Sequence, residues 1–222
     1  MPRRIIGFTQ KIEYLATKSK LAYWAASLYY RNVIRREIDL ANITHSDHVL
    51  CIGGGICPFS AILFHQITGA KVTVIDNSED CVREAQQIIA RLGLSGQVCA
   101  VWQDGGSIAF PLSDFSVVHF ALQVFPLEGV VSKVKKQILP GTKLLVRRPK
   151  ECLSTMYSQL TGSSLACCRY ITHQKACNIG STLLYVKQER LHEEKLAAPS
   201  NLRPVGVRAA DTSAALPCPV AV

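Results

Sequence analysis

The chain has 222 residues, a length that suits one domain of ordinary size, with 48% hydrophobic and 18% charged residues. That composition excludes a disordered polymer, and no apolar run reaches the ~18 residues that a membrane-spanning helix needs. The formal net charge is +9, and 9 cysteines contain no C-x-x-C pair, so a zinc ribbon or thioredoxin-type site has no support and no metal site is expected.

In chain order, the apolar part of Met1 to Phe8 gives way at once to Thr9-Gln10-Lys11. It is too short for a secretory core, and a cytoplasmic location is expected. Residues 11–40 lack proline and glycine. Ile12, Leu15, Ala16, Leu21, Trp24, Ala25 and Leu28 give an approximate 3.6 period, so residues 1–45 are expected to form a helical segment. Tyr23, Trp24, Tyr29 and Tyr30 make it rich in aromatics. It either packs on the sheet or covers a ligand site as a lid.

Residues 48–52 predict a first strand, and Pro58 to Thr68 a helix with Phe59, Ile62, Leu63 and Ile67 on one face and Gly69 as its stop. Lys71 to Ile75 is the second strand. Ser78 caps the next helix, with Glu79 and Asp80 in its first turn and Cys81, Ala85, Ile88, Ile89 and Leu92 as its buried stripe. Gln97 to Trp102 is a third strand, ending at Gln103-Asp104-Gly105. Phe115 to Leu122 is a fourth, nearly all apolar, as a parallel strand covered on both faces should be. Pro126 to Leu139 is a helix, Lys143 to Val146 a fifth strand, and Leu165 to Thr172 with Ser181 to Lys187 a closing hairpin. Alternation of this kind implies α/β architecture, with a mostly parallel sheet between helices across residues 46–190. Cys51, Cys99 and Cys167 fall in these strands and are expected to be buried, reduced hydrophobes. Residues 196–222, rich in Ala, Pro, Val and Ser, are expected not to fold.

Part of the positive charge lies between Lys133 and Lys150, where Lys133, Lys135, Lys136, Lys143, Arg147, Arg148 and Lys150 have no acidic neighbours among them. They are either a solvated face with strand-end lysines or a surface for an anionic partner such as RNA.

Chemistry concentrates in Val49-Leu50-Cys51-Ile52-Gly53-Gly54-Gly55-Ile56-Cys57-Pro58, followed by Val72-Thr73-Val74-Ile75-Asp76. An apolar strand, a glycine turn, a helix and a second strand ending in a carboxylate form a nucleotide-binding unit. The dinucleotide fingerprint G-x-G-x-x-G has a third glycine where this chain has Pro58, which argues against NAD. A closing hairpin argues against it too. There is no P-loop, no Asn-Pro-Pro-Tyr and no Pro-Cys after the fourth strand.

Gly53-x-Gly55 followed by Asp76 resembles motif I and its successor in class I S-adenosylmethionine (SAM)-dependent methyltransferases. Cys51 stands where many of those enzymes carry an acid, and Cys57 where many carry a third glycine. The resemblance implies a Rossmann-like seven-stranded sheet with an antiparallel last strand, and SAM as cofactor. It implies cofactor contacts from Gly53, Gly54, Gly55, Pro58, Asp76, Asn77, Asp104, Gly105, Ala121 and Gln123. Asp76 would accept from the ribose hydroxyls and Asp104 from the adenine amino group. Ala121 to Val124 would face the sulfonium. Each also has a plainer role: Asp76 can approach a helix, and Asp104 can make an Asx turn before Gly105-Gly106.

No residue stands out as a catalytic base. Candidates are Glu37, Gln123 as a positioning amide, Tyr29 or Tyr30, and His119, which in an apolar strand is more often a core histidine. Over about 30 residues, Gly53-Gly54-Gly55-Ile56-Cys57-Pro58-Phe59-Ser60-Ala61-Ile62 also looks like the glycine loop of nicotianamine synthases. That likeness implies transfer of the aminocarboxypropyl group of SAM to an amine. Methyl transfer to a small-molecule acceptor is the first expectation and aminocarboxypropyl transfer the second. A third is a non-catalytic protein of the same fold, acting through its basic surface. A homodimer is compatible with all three.

Overall fold

The computed structural model describes residues 20–160, 169–174, 176 and 178–189. The expected unfolded tail lies outside the described residues, as do Cys167 and the first part of the helical segment.

The elements are α1 (Lys20–Ala41), β1 (His48–Ile52), α2 (Phe59–Thr68), β2 (Lys71–Asp76), α3 (Glu79–Arg91), β3 (Val98–Trp102), β4 (Val117–Phe120), α4 (Leu127–Gln137), β5 (Lys143–Pro149), β6 (Arg169–Thr172) and β7 (Ile179–Val186). Short 3-10 turns span Leu112–Asp114 and Glu151–Met156. The sheet order is β3-β2-β1-β4-β5-β7-β6. The first five strands pair in parallel, and β7 runs antiparallel between β5 and β6. This is the seven-stranded α/β sheet with an antiparallel last strand that the resemblance implied.

Alternation along the central strands divides the core between two faces. Val49, Cys51, Val72, Val74, Val117 and Leu145 pack with Ile34 of α1, Phe64 of α2 and Ala85 and Ile89 of α3. Leu50, Ile52, Ile75, Val118, Phe120 and Leu144 pack with Val130, Val131 and Val134 of α4. Helix α1 therefore lies on the sheet. Its aromatics have a specific partner: Phe59, the first residue of α2, stacks between Tyr23 and Tyr30, with ring centroids 5.4 and 5.3 Å away.

Local signals hold at the helix ends. Gly69 takes φ 77° at the end of α2, and the Ser78 hydroxyl accepts from the Cys81 N–H at the start of α3. A cap of that kind contributes about 1 kcal/mol.

Three expectations are corrected. Cys99 is exposed: β3 is an edge strand, and Cys99 alternates with the buried Val98 and Ala100 to face the other side of the sheet. The buried stripe of α3 is Val82, Ala85, Ile88 and Ile89; Leu92 is exposed, and Cys81 turns toward the cleft described below. Strand β4 ends at Phe120, because Ala121 onward leaves the sheet to border that cleft.

The basic run is dispersed. Lys133 donates to the Gly106 carbonyl (2.9 Å), Lys135 lies 4.2 Å over the Tyr185 ring, Lys143 pairs with Asp47 (3.7 Å), and Arg147 is buried. Among the described residues no helix is long and apolar enough to cross a membrane, and no group of three His, Cys, Asp or Glu is placed to hold a metal.

Candidate active site

Ligands of open α/β sheets bind beyond the carboxyl ends of the strands. Here that edge opens into a cleft of about 550 Å³. It is lined by the loop after β1 (Gly53 to Pro58), the end of β2 (Asp76, Asn77), the loop after β3 (Gln103 to Gly105) and the loop after β4 (Ala121 to Phe125). Tyr30 of α1, Ser60 of α2, His119, Arg147, Asn178 and Ile179 complete it. Every cofactor residue expected from sequence lines this one cleft, and so do Gln123 and Tyr30. Glu37 does not; it lies wholly buried behind Arg147.

The glycine loop has a built geometry. Gly53 and Gly55 take φ 86° and 63°, which side-chain-bearing residues rarely adopt. A Cβ on Gly54 would stand 2.4 Å from Val74 Cγ2. The N–H groups of Gly53 and Gly54 both donate to the Ile75 carbonyl, at 2.9 and 3.2 Å. The Gly55 N–H donates to Asp76 Oδ2 at 2.8 Å, and the Ser78 N–H to Oδ1 at 3.0 Å. Asp76 thus ties the loop to the end of β2. A carboxylate has about four acceptor positions, so two remain for ribose hydroxyls.

Asp104 Oδ1 accepts from the Gly106 N–H (2.9 Å), the Asx turn weighed above, and its exposed carboxylate still borders the cleft. Asn77 and Gln123 are exposed. Exposure leaves the Gln123 amide in contact with solvent at the mouth.

The inner wall is a polar belt that sequence reasoning recognised only in part. Cys51 pairs in register with His119, and Arg147 with Thr182, so strands β1, β4, β5 and β7 contribute one residue each. The Arg147 Nε and Nη2 donate to Glu37 Oε1 and Oε2, at 2.8 and 2.9 Å, and Nη1 donates to Ser60 Oγ at 3.0 Å. Thr182 donates its hydroxyl to Glu37 Oε1 at 2.7 Å. Having given its proton away, Thr182 accepts from His173 Nε2 (2.9 Å), which places the His173 proton on Nε2.

Burial alone would raise the Glu37 carboxyl. The adjacent Arg147 charge, the His119 ring and the hydrogen bonds from Arg147 and Thr182 together outweigh it and hold the pKa down at about 2. Burial, then the Arg147 charge, pushes His119 down to about 3 against the pull of Glu37, so its imidazole is neutral. Glu37 is therefore a saturated anion near neutral pH. Its geometry suits holding Arg147 in place, not taking a proton from a substrate. Neither His119 ring nitrogen has a hydrogen-bond partner among the described residues; Nε2 lies 3.6 Å from Glu37 Oε2.

The sequence points to Arg147 only as a strand end broadly compatible with the nicotianamine synthase likeness, and it does not point to Thr182 or His173. The signal for Arg147 was an arginine closing an apolar strand at the sheet's carboxyl edge. Nothing local marks Thr182 or His173.

No family model matches this chain, and no curated protein matches it. Solved structures do match its architecture. A point mutant of MtNAS in complex with S-adenosylmethionine aligns with a TM-score of 0.70 at 17% identity, covering 82% of this chain and 74% of the other. MtNAS in complex with MTA and tNA aligns at 0.66 and 18% identity, covering 80% and 69%. An RNA methyltransferase from Salinibacter ruber in complex with S-adenosyl-L-homocysteine aligns at 0.56 and 18% identity, covering 73% and 95%. The fold is that of the class I methyltransferases. At these identities the likeness establishes architecture, and function rests on the site.

Proposed function

We propose that the chain is a SAM-dependent transferase acting on a small-molecule acceptor. The observation that carries this is the coupling of three strand ends in one cleft. Asp76 bonds the glycine loop through Gly55, and Asp104 stands at the next strand end. Such a pair of carboxylates suits a ribose and an adenine amino group. Gly53 to Gly55 lets the backbone approach the rest of the cofactor closely. The cleft would hold SAM through these residues, and SAM would supply an electrophilic carbon on its sulfonium. The protein's part is to orient an acceptor in line with that carbon and to exclude water.

Methyl transfer is the simplest reaction of such a site. A second reading, aminocarboxypropyl transfer to an amine, is favoured by a specific observation. MtNAS matches this chain at TM-scores of 0.66 to 0.70, against 0.56 for the Salinibacter ruber methyltransferase, and one MtNAS structure holds MTA.

The test is incubation of the purified protein with SAM, followed by mass spectrometry of bound and released adenosyl species. S-adenosylhomocysteine supports methyl transfer. 5′-Methylthioadenosine (MTA) supports aminocarboxypropyl transfer. No bound adenosyl species and no thermal shift would refute the transferase reading.

A further inference from the structure

We propose that the inner end of the cleft is a carboxylate-binding subsite built from Arg147, Ser60 and Asn178. This rests on the reading of the cleft as an adenosyl-cofactor site and names the chemistry of a second group held there.

The inference comes from counting donors. A guanidinium has five N–H groups. Among the described residues Arg147 commits three, two to Glu37 and one to Ser60, which leaves two. Ser60 accepts from Arg147, so its own O–H remains to be given. The Asn178 Oδ1 accepts from the Tyr29 hydroxyl at 3.0 Å, which leaves the Asn178 amide nitrogen as a donor. All three residues line the cleft.

Among the described residues, that end holds no carboxylate with an acceptor left to offer. The Glu37 oxygens already take bonds from Arg147 and Thr182, and Glu37 has no exposed surface. Neutral His119 offers one ring nitrogen. The carboxylates of Asp76 and Asp104 lie at the other end. Three strand spacings, about 14 Å, separate β2 from β5. The cleft is thus rich in acceptors at its nucleoside end and rich in donors at its inner end.

A carboxylate fits the donor-rich end, because its two oxygens accept charge-assisted bonds from the remaining guanidinium N–H groups and from the nearby amide N–H and O–H groups. An ammonium would find no free anion there. Glu37 already offsets the Arg147 charge, so a singly charged group is accommodated more readily than a dianionic phosphate. The carboxylate has two possible sources: the amino-acid part of the cofactor itself, or the acceptor.

The test uses propionate and its neutral isostere propionamide as probes. Each is titrated by ligand-observed NMR into the protein alone, the protein loaded with MTA, and the protein loaded with S-adenosylhomocysteine. MTA lacks a carboxylate and leaves the inner end open. The expected result is propionate binding to the MTA-loaded protein at least tenfold more tightly than propionamide. Asn178→Asp, which keeps an acceptor for Tyr29 but adds a like charge, should weaken propionate at least tenfold and leave MTA affinity unchanged. Ser60→Ala should weaken it less. If S-adenosylhomocysteine abolishes propionate binding, the subsite serves the cofactor's own carboxylate. If binding persists, it serves the acceptor's. Equal affinity for the two probes, no binding of either, or indifference to Asn178→Asp overturns the proposal. If neither MTA nor S-adenosylhomocysteine binds, the transferase reading fails, and the titration of the protein alone still decides the subsite by the same comparison.

Discussion

Replacing Asp76 with alanine tests the cofactor reading most directly. In the structure its carboxylate accepts two backbone N–H groups, from Gly55 at 2.8 Å and Ser78 at 3.0 Å. The Ser78 N–H sits at a half-buried helix start, where water replaces the lost acceptor at small cost. The Gly55 N–H belongs to the loop that needs two positive φ angles, and its bond to a charged acceptor contributes about 1.5–3 kcal/mol. The stability loss should therefore be about 1.5–3 kcal/mol, or roughly 3–12 °C in Tm for a chain of this size. The ribose would lose the same class of charge-assisted bond, a further 1.5–3 kcal/mol, which corresponds to about a 10- to 150-fold weaker Kd. The assay is calorimetric titration with S-adenosylhomocysteine, after circular dichroism has shown that the variant is folded. Asp76→Asn, which keeps one acceptor oxygen, should fall between wild type and alanine. An unchanged Kd in a folded Asp76→Ala variant would remove this carboxylate from the site.

Gly54→Ala should cost about 1–3 kcal/mol through collision with Val74 Cγ2, and Val74→Ala should relieve it. A double-mutant cycle by urea denaturation should therefore show favourable coupling, and additive losses would contradict the clash. Glu37→Ala strands the Arg147 charge in the core and should destabilise by about 3–5 kcal/mol, while Glu37→Met with Arg147→Met should recover much of that stability. Recovery failing in the double variant would argue that the pair holds more than its own charge. Stability should also fall on acidification. His119 has a pKa of about 3 in the folded chain against an ordinary 6.5, and Glu37 about 2 against 4.5. In both ranges the unfolded chain binds more protons, so stability is lost from about pH 6.5 down to about pH 2. Urea midpoints measured across that window should decline steadily in wild type, and less steeply in a folded His119→Asn variant.

Much of the cofactor half of the site is legible along the chain because it is local. Gly53 to Gly55 and Asp76 belong to one strand-turn-helix-strand unit, and the same stretch of backbone that forms the turn faces the ligand. Helix starts and stops at Ser78 and Gly69 are local for the same reason: the side chain or the φ angle acts within a few residues. Cys99 is exposed against expectation because the apolar pattern of a strand does not tell whether it ends up at a sheet edge. The α3 stripe shifted by one position because a helix beside a cleft rotates to leave Cys81 on the ligand side.

The sequence by itself determines the alternation of strands and helices, the glycine turn, and two carboxylates at successive strand ends, since each follows from residue periodicity or from the backbone freedom of glycine. Only the tertiary structure decides that Glu37, Ser60, Arg147, Thr182 and His173 meet. Their separations run to 145 residues for Thr182 and Glu37. They converge because β7 inserts antiparallel beside β5 while α1 lies across that face of the sheet. A buried charge network of this kind exists only when distant elements close around it, since each of its ions would otherwise remain in water.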